Sequence, residues 1–141
     1  MRNKSMLKKI VLMFCALLLL WSHHAYGTDE FSQLMGTFNW AKKYYLEGKY
    51  RDSIKKLEVL LTFIDKENPD ETYRSLWGKV NLLLAAANEK TGRKEEAKLY
   101  YHNVKTLAEE LKSTGSPLTW ITEIDFSNLE LFHLTGQIKS L

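Results

Sequence analysis

Beyond residue 30 the apolar positions return at intervals of three and four, the period of one helix face. Leu34, Phe38, Ala41, Tyr44 and Tyr45 form the first such face, and Gly48 interrupts it. Tyr50, Ile54, Leu57, Leu60, Leu61 and Ile64 form the second. Asn68-Pro69-Asp70 stops that helix, and either Asn68 or Asp70 can cap the next, with Asp70 and Glu71 at the positive end of its dipole. A third helix is predicted over about 71–90, carrying Leu76, Val80, Leu83, Leu84 and Ala87, and Gly92 ends it. A fourth is predicted over about 94–112, with Ala97, Tyr100, Tyr101, Val104, Leu107, Ala108 and Leu111 inward. Ser116 and Pro117 suit the start of a fifth, which carries Leu118, Ile121, Ile124, Leu129, Phe132 and Leu134 up to Gly136. No stretch alternates as a strand does. The fold class is all-α, with about five helices.

The pattern repeats. Tyr45–Leu61 and Glu89–Lys105 each set a glycine and a basic residue ahead of a helical run, and Gly92 follows Gly48 by 44 residues. One helical hairpin cannot bury its apolar face alone. Stacked hairpins can, and each then needs the same turn and the same packing positions.

Gly48-Lys49-Tyr50, Ser53-Ile54, Leu57 and Leu60 resemble the turn and second helix of a tetratricopeptide repeat, and Trp40, Ala41 and Tyr44 match the large-small-aromatic set of its first helix. The second copy has Leu84 and Ala85, then Gly92, Ala97, Tyr101 and Val104. The spacing of 44 residues exceeds the family's length of about 34. Lys94 replaces the tyrosine of the turn, and Asn81 and Asn88 stand where the family has aromatics. Gly136 would be the turn of a truncated third unit. The resemblance implies a right-handed stack of antiparallel hairpins whose first helices line a concave, partner-binding groove. It implies exposed concave residues at Met35, Phe38, Lys42 and Tyr45 in one unit and at Lys79, Leu82, Ala86 and Glu89 in the other. The expected partner-binding set is Phe38, Tyr45 and Leu82 for apolar contact, with Lys42, Lys79 and Glu89 setting orientation.

The first 27 residues change the picture of charge and location. Arg2, Lys4, Lys8 and Lys9 precede an apolar run from Ile10 to Trp21, and Ala25-Tyr26-Gly27 supplies small residues at −3 and −1. That order predicts a signal peptide over 1–27 and an exported, periplasmic or secreted domain over 28–141, or an inner-membrane anchor if it is not cleaved. Phe14 before Cys15 excludes lipidation, and cleavage would leave no cysteine. Four of the 20 basic residues and none of the 17 acidic ones lie in that segment, so 16 against 17 remain, a balance of −1 rather than the formal +3. That balance removes the main argument for a nucleic-acid or anionic-membrane partner.

The same residues offer little catalytic chemistry. His102 and His133 are the histidines beyond residue 27. The Glu-x-x-His unit at Glu130–His133 has no second copy, since Leu99 stands three before His102. No phosphate loop, zinc spacing, haem signature or nucleophile elbow is present. The expectation is therefore no enzyme, no catalytic residue, no metal and no cofactor, and a protein or peptide as partner. Two alternatives stand beside it. One is a structural subunit or homo-oligomer docking through the last helix, where Trp120, Phe126 and Leu131 lie off the main stripe. The other is a carrier of a small molecule or lipid between helices.

Overall fold

The computed structural model describes residues 4–124, 126 and 135–141, without the side chains of residues 7, 14–29 and 135. It is mostly helical, and no strand occurs among the described residues. The chain divides into two compact units, 1–34 and 35–141. Helix α1 (Lys4–Leu46) contributes to both. The side chains that hold most of the apolar run lie outside the description; among the described residues no helix is long and apolar enough to cross a membrane.

Unit 35–141 holds the end of α1, then α2 (Tyr50–Leu61), α3 (Glu71–Lys90), α4 (Lys94–Thr114), the single turn α5 (Thr119–Thr122) and α6 (Thr135–Ser140). The two repeated glycines make the same turn. Gly48 and Gly92 have φ of 78° and 77°, a left-handed conformation that costs glycine little and other residues more. Gly48 N–H donates to the Tyr45 carbonyl and Gly92 N–H to that of Glu89, both at 3.0 Å. Lys49 N–H reaches the Tyr44 carbonyl at 2.8 Å, and Arg93 N–H reaches that of Asn88 at 2.9 Å. Every atom in the second turn stands 44 residues after its counterpart in the first. Asp70 caps α3, its carboxylate accepting from the Thr72 amide at 2.9 Å, as the run Asn68-Pro69-Asp70 predicts.

Packing centres on α3, which touches α2, α4 and α6. Surrounded on several sides, it buries every residue from Val80 to Asn88. The buried asparagines are accommodated within that wall. Asn81 and Asn88 each donate to the carbonyl four residues earlier at 2.8 Å, and Asn103 of α4 donates to Asn81 at 3.0 Å. Small residues let helices approach. Ser53 Oγ donates to the carbonyl of fully buried Ala41 at 2.8 Å, tying α2 to α1.

Three expectations need correction. First, Trp40 does not enter the seam: it is 54% exposed, while Phe38, Ala41 and Tyr45 are buried. Tyr44 is half-buried and meets Trp40 edge-on at 6.1 Å between ring centroids. Second, the helix expected from 118 onward ends after one turn, at Thr122, and residues 123, 124 and 126 are not helical. Thr119, Ile121, Thr122 and Ile124 are β-branched, a poor basis for a helix. The chain leaves α5 at Glu123, and Phe126 is held instead by Tyr101, through a 3.2 Å hydrogen bond to its carbonyl and an edge-on ring contact at 5.6 Å. Leu129, Leu131, Phe132 and Leu134 lie outside the described residues. Third, Gly136 is not a turn; it lies inside α6.

Gly78 is a contact that the periodicity did not reveal. A Cβ there would lie 3.1 Å from Ile121, 3.2 Å from Leu107 and 3.3 Å from Trp120. Gly78→Leu is expected to destabilise the protein by about 1–3 kcal/mol through overpacking. A urea titration checks this, and an unchanged midpoint would mean that α5 does not pack on α3 as described.

Candidate functional site

The first helices of the two hairpins present their polar residues unevenly. Lys42 on α1 and Lys79 and Glu89 on α3 are half-buried. Phe38 and Leu82 are fully buried and Tyr45 is 4% exposed, with Ala86 close behind at 3%. The expectation that Phe38, Tyr45, Leu82 and Ala86 are exposed on a concave wall is therefore corrected. The reason is tertiary: α3 is enclosed by three neighbours, and the α1 face that carries Phe38 is the face it buries. Met35 remains half-buried.

Lys79 is the centre of what stays accessible. Its ammonium lies 5.9 Å from the Trp120 ring centroid and donates to the main-chain oxygen of Leu141 at 3.4 Å. Burial and the nearby Lys42 ammonium both hold its pKa below the ordinary lysine value, burial contributing more. Trp120 is fixed in turn, its indole N–H donating to Ser75 Oγ at 3.0 Å. The periodicity left Trp120 as a free docking residue, because an off-stripe position does not reveal that a later turn folds back over α3. Phe126 is likewise engaged within the chain, and Leu131 lies outside the described residues.

Helix α6 packs on α3 beside this site. Ile138 is fully buried, and the side-chain oxygen of Gln137 is enclosed without a hydrogen-bond partner among the described residues. The face built around Lys42, Lys79 and Trp120 thus meets a short helix, through one aliphatic side chain and the main-chain oxygen of Leu141.

Two other surfaces carry charge. Lys56 lies 5.7 Å from the Trp40 ring centroid and 5.8 Å from that of Tyr44, with Lys43 and Lys49 nearby, an arrangement of solvated cations on exposed rings. Near the hairpin turns, Arg51, Lys55, Arg93 and Glu58 surround a depression of about 430 Å³. Among the described residues no three His, Cys, Asp or Glu side chains converge as a metal site would need. His102 is exposed, and the Glu130–His133 unit lies outside the described residues.

The chain matches no protein-family model, no curated protein and no solved structure.

Proposed function

We propose that the domain over 28–141 is an exported, non-enzymatic helical-repeat adaptor of tetratricopeptide type, which binds a protein or peptide on the face around Lys42, Lys79 and Trp120. The observation that carries this reading is the seating of α6. A short helix with one buried aliphatic residue lies against α3, and Lys79 donates to the main-chain oxygen of Leu141 that follows it. A surface that receives a short helix of its own chain has the shape and the polar handle to receive one from a partner. The set of contact residues narrows accordingly. Lys42, Lys79 and Glu89 remain orienting residues, whereas Phe38, Tyr45 and Leu82 support the wall from beneath.

Photo-crosslinking tests this on the intact protein in its native membrane-and-envelope fraction. A photoreactive residue at position 42 is expected to trap a partner, and the charge reversal Lys79→Glu to reduce the yield severalfold. Lys98→Glu, on the exposed side of α4, should leave it unchanged. Equal yields for the two reversals would move the binding surface away from Lys79. Export rests on the basic head, the apolar run and Ala25-Tyr26-Gly27. N-terminal sequencing of the native protein is expected to begin at Thr28, and intact Met1 in a membrane fraction would indicate an anchor.

A further inference from the structure

We propose that the outer face of the first hairpin, formed by Trp40 and Tyr44 of α1 with Lys56, Val59 and Phe63 of α2, seats the protein on an anionic phospholipid surface. This goes beyond the adaptor reading and is independent of it. Lys42 follows Trp40 by two residues and lies on another side of α1, so the Lys42–Lys79 face stays open to a partner.

Exposed apolar surface is concentrated on this hairpin. Among the described residues of unit 35–141 the exposed large apolar side chains are Trp40, Leu46, Val59, Phe63 and Leu99, and only Leu99 lies outside the first hairpin. Lys56, Val59 and Phe63 stand three and four apart and share one side of α2, while Ile54 and Leu57 turn inward. Trp40 and Tyr44, four apart, share one side of α1. Lys56 joins the two helices, its ammonium 5.7 Å from the Trp40 ring centroid and 5.8 Å from that of Tyr44. Lys43 lies 6.0 Å from the Trp40 ring and Lys49 5.6 Å from the Tyr44 ring.

The overall charge balance hides a local one. Residues 35–64 hold six basic and three acidic side chains, whereas 65–141 hold ten and twelve. On the face itself Glu47 meets Lys43 at 4.0 Å and Lys49 at 3.2 Å, and Lys56 is in no ion pair among the described residues. Rings of tryptophan and tyrosine settle at the level of lipid headgroups, and lysine stems lie along apolar surface with their ammonium groups in water. Val59 and Phe63, each more than half exposed, can enter the acyl boundary, which receives protruding side chains without a shaped pocket. A second copy packed here about a two-fold axis would bring Lys43, Lys49 and Lys56 of both copies into one interface, and like charges oppose that contact.

The test uses the full chain with Cys15→Ser and Val59→Cys, the new thiol carrying the environment-sensitive dye nitrobenzoxadiazole. Vesicles are phosphatidylcholine alone or mixed with phosphatidylglycerol. Emission should rise severalfold and shift to the blue on mixed vesicles, and change little on phosphatidylcholine alone. Added salt should weaken the response, because it screens exposed charges. In the labelled chain, Lys43→Glu and Lys56→Glu should each lower apparent affinity for mixed vesicles by about fivefold or more. Phe63→Ser should lower it severalfold too, and Leu99→Ser, an exposed apolar position on α4, should leave it unchanged. All these positions lie outside the core, and circular dichroism checks that each variant is folded. The same dye at Lys98→Cys, on the exposed side of α4, should stay silent. That comparison separates seating of this face from binding through the apolar run of residues 10–21, which is common to both labelled chains.

A silent dye at position 59 on mixed vesicles would overturn the proposal. So would equal responses at positions 59 and 98, or an affinity indifferent to both charge reversals. A response at position 59 that needs no vesicles and grows with protein concentration would make the face a contact between copies. A response to poly-glutamate exceeding that to mixed vesicles would make the occupant an acidic protein. Either result would overturn the lipid assignment, and the adaptor reading would still be decided by crosslinking at position 42.

Discussion

Replacing Phe38 with alanine is expected to cost about 3–5 kcal/mol, the usual range for deleting a fully buried phenylalanine. Natural domains are stable by about 5–15 kcal/mol, so this single change should remove a large part of the margin. The side chain is fully enclosed, and its removal leaves a cavity that the surrounding helices fill only in part. Trp40→Ala is the informative companion. Trp40 is larger, but it is 54% exposed and its contacts are with Tyr44, Lys43 and Lys56 at the surface. Its loss should change stability by about 0.5 kcal/mol or less, as at most surface positions. Urea titrations followed by circular dichroism compare the two. The opposite ranking would mean that α1 presents its other face to the core.

Ala97→Trp is expected to destabilise by about 1–3 kcal/mol, and by more where neighbours cannot move. Ala97 is fully buried in the first turn of α4. By the 44-residue offset it stands where Ser53 stands in α2, and Ser53 is close enough to α1 to hydrogen-bond the Ala41 carbonyl at 2.8 Å. Ala85, the counterpart of Ala41, is fully buried as well. An indole has no room at such an approach without separating two helices. Glu95→Ala, at an exposed position two residues earlier whose partner is the surface Lys98, should be nearly silent. Thermal melts decide the matter, and equal shifts for the two variants would argue against a close helix approach at Ala97.

Binding and stability are separable here only at residues that stay accessible. A loss of partner affinity on Phe38→Ala would report unfolding as readily as lost contact, because the phenyl ring is enclosed. Lys42 and Lys79 lack that ambiguity. Each is half-buried, and reversing the charge at either changes the field on the face without opening a cavity in the core.

The helices of both hairpins, their turns and the cap of α3 were legible in the sequence because each is decided within a few residues. A period of three and four sets a helix, a glycine that can take positive φ ends it, and Asp70 satisfies the amide of Thr72 two positions on. The likeness of the turns at Gly48 and Gly92 was legible for the same reason, since each spells its own glycine. The inward face of α1 was legible as well, since Leu34, Phe38, Ala41 and Tyr45 recur at three and four and all are buried. What the resemblance misplaced was the exposure of Phe38 and Tyr45 on a concave wall, because that face is enclosed where Ser53 of α2 reaches the Ala41 carbonyl. The burial of Leu82 depends on α3 having neighbours on several sides, which no single-helix pattern contains. Beyond Ser116 local preference is weak, and long-range contacts dominate. Tyr101 holds Phe126, Gly78 admits Ile121 and Trp120, and the six residues of α6 stay folded by resting on α3. Such contacts join positions 25 or more residues apart, so the tertiary structure alone decided what lies against Lys79.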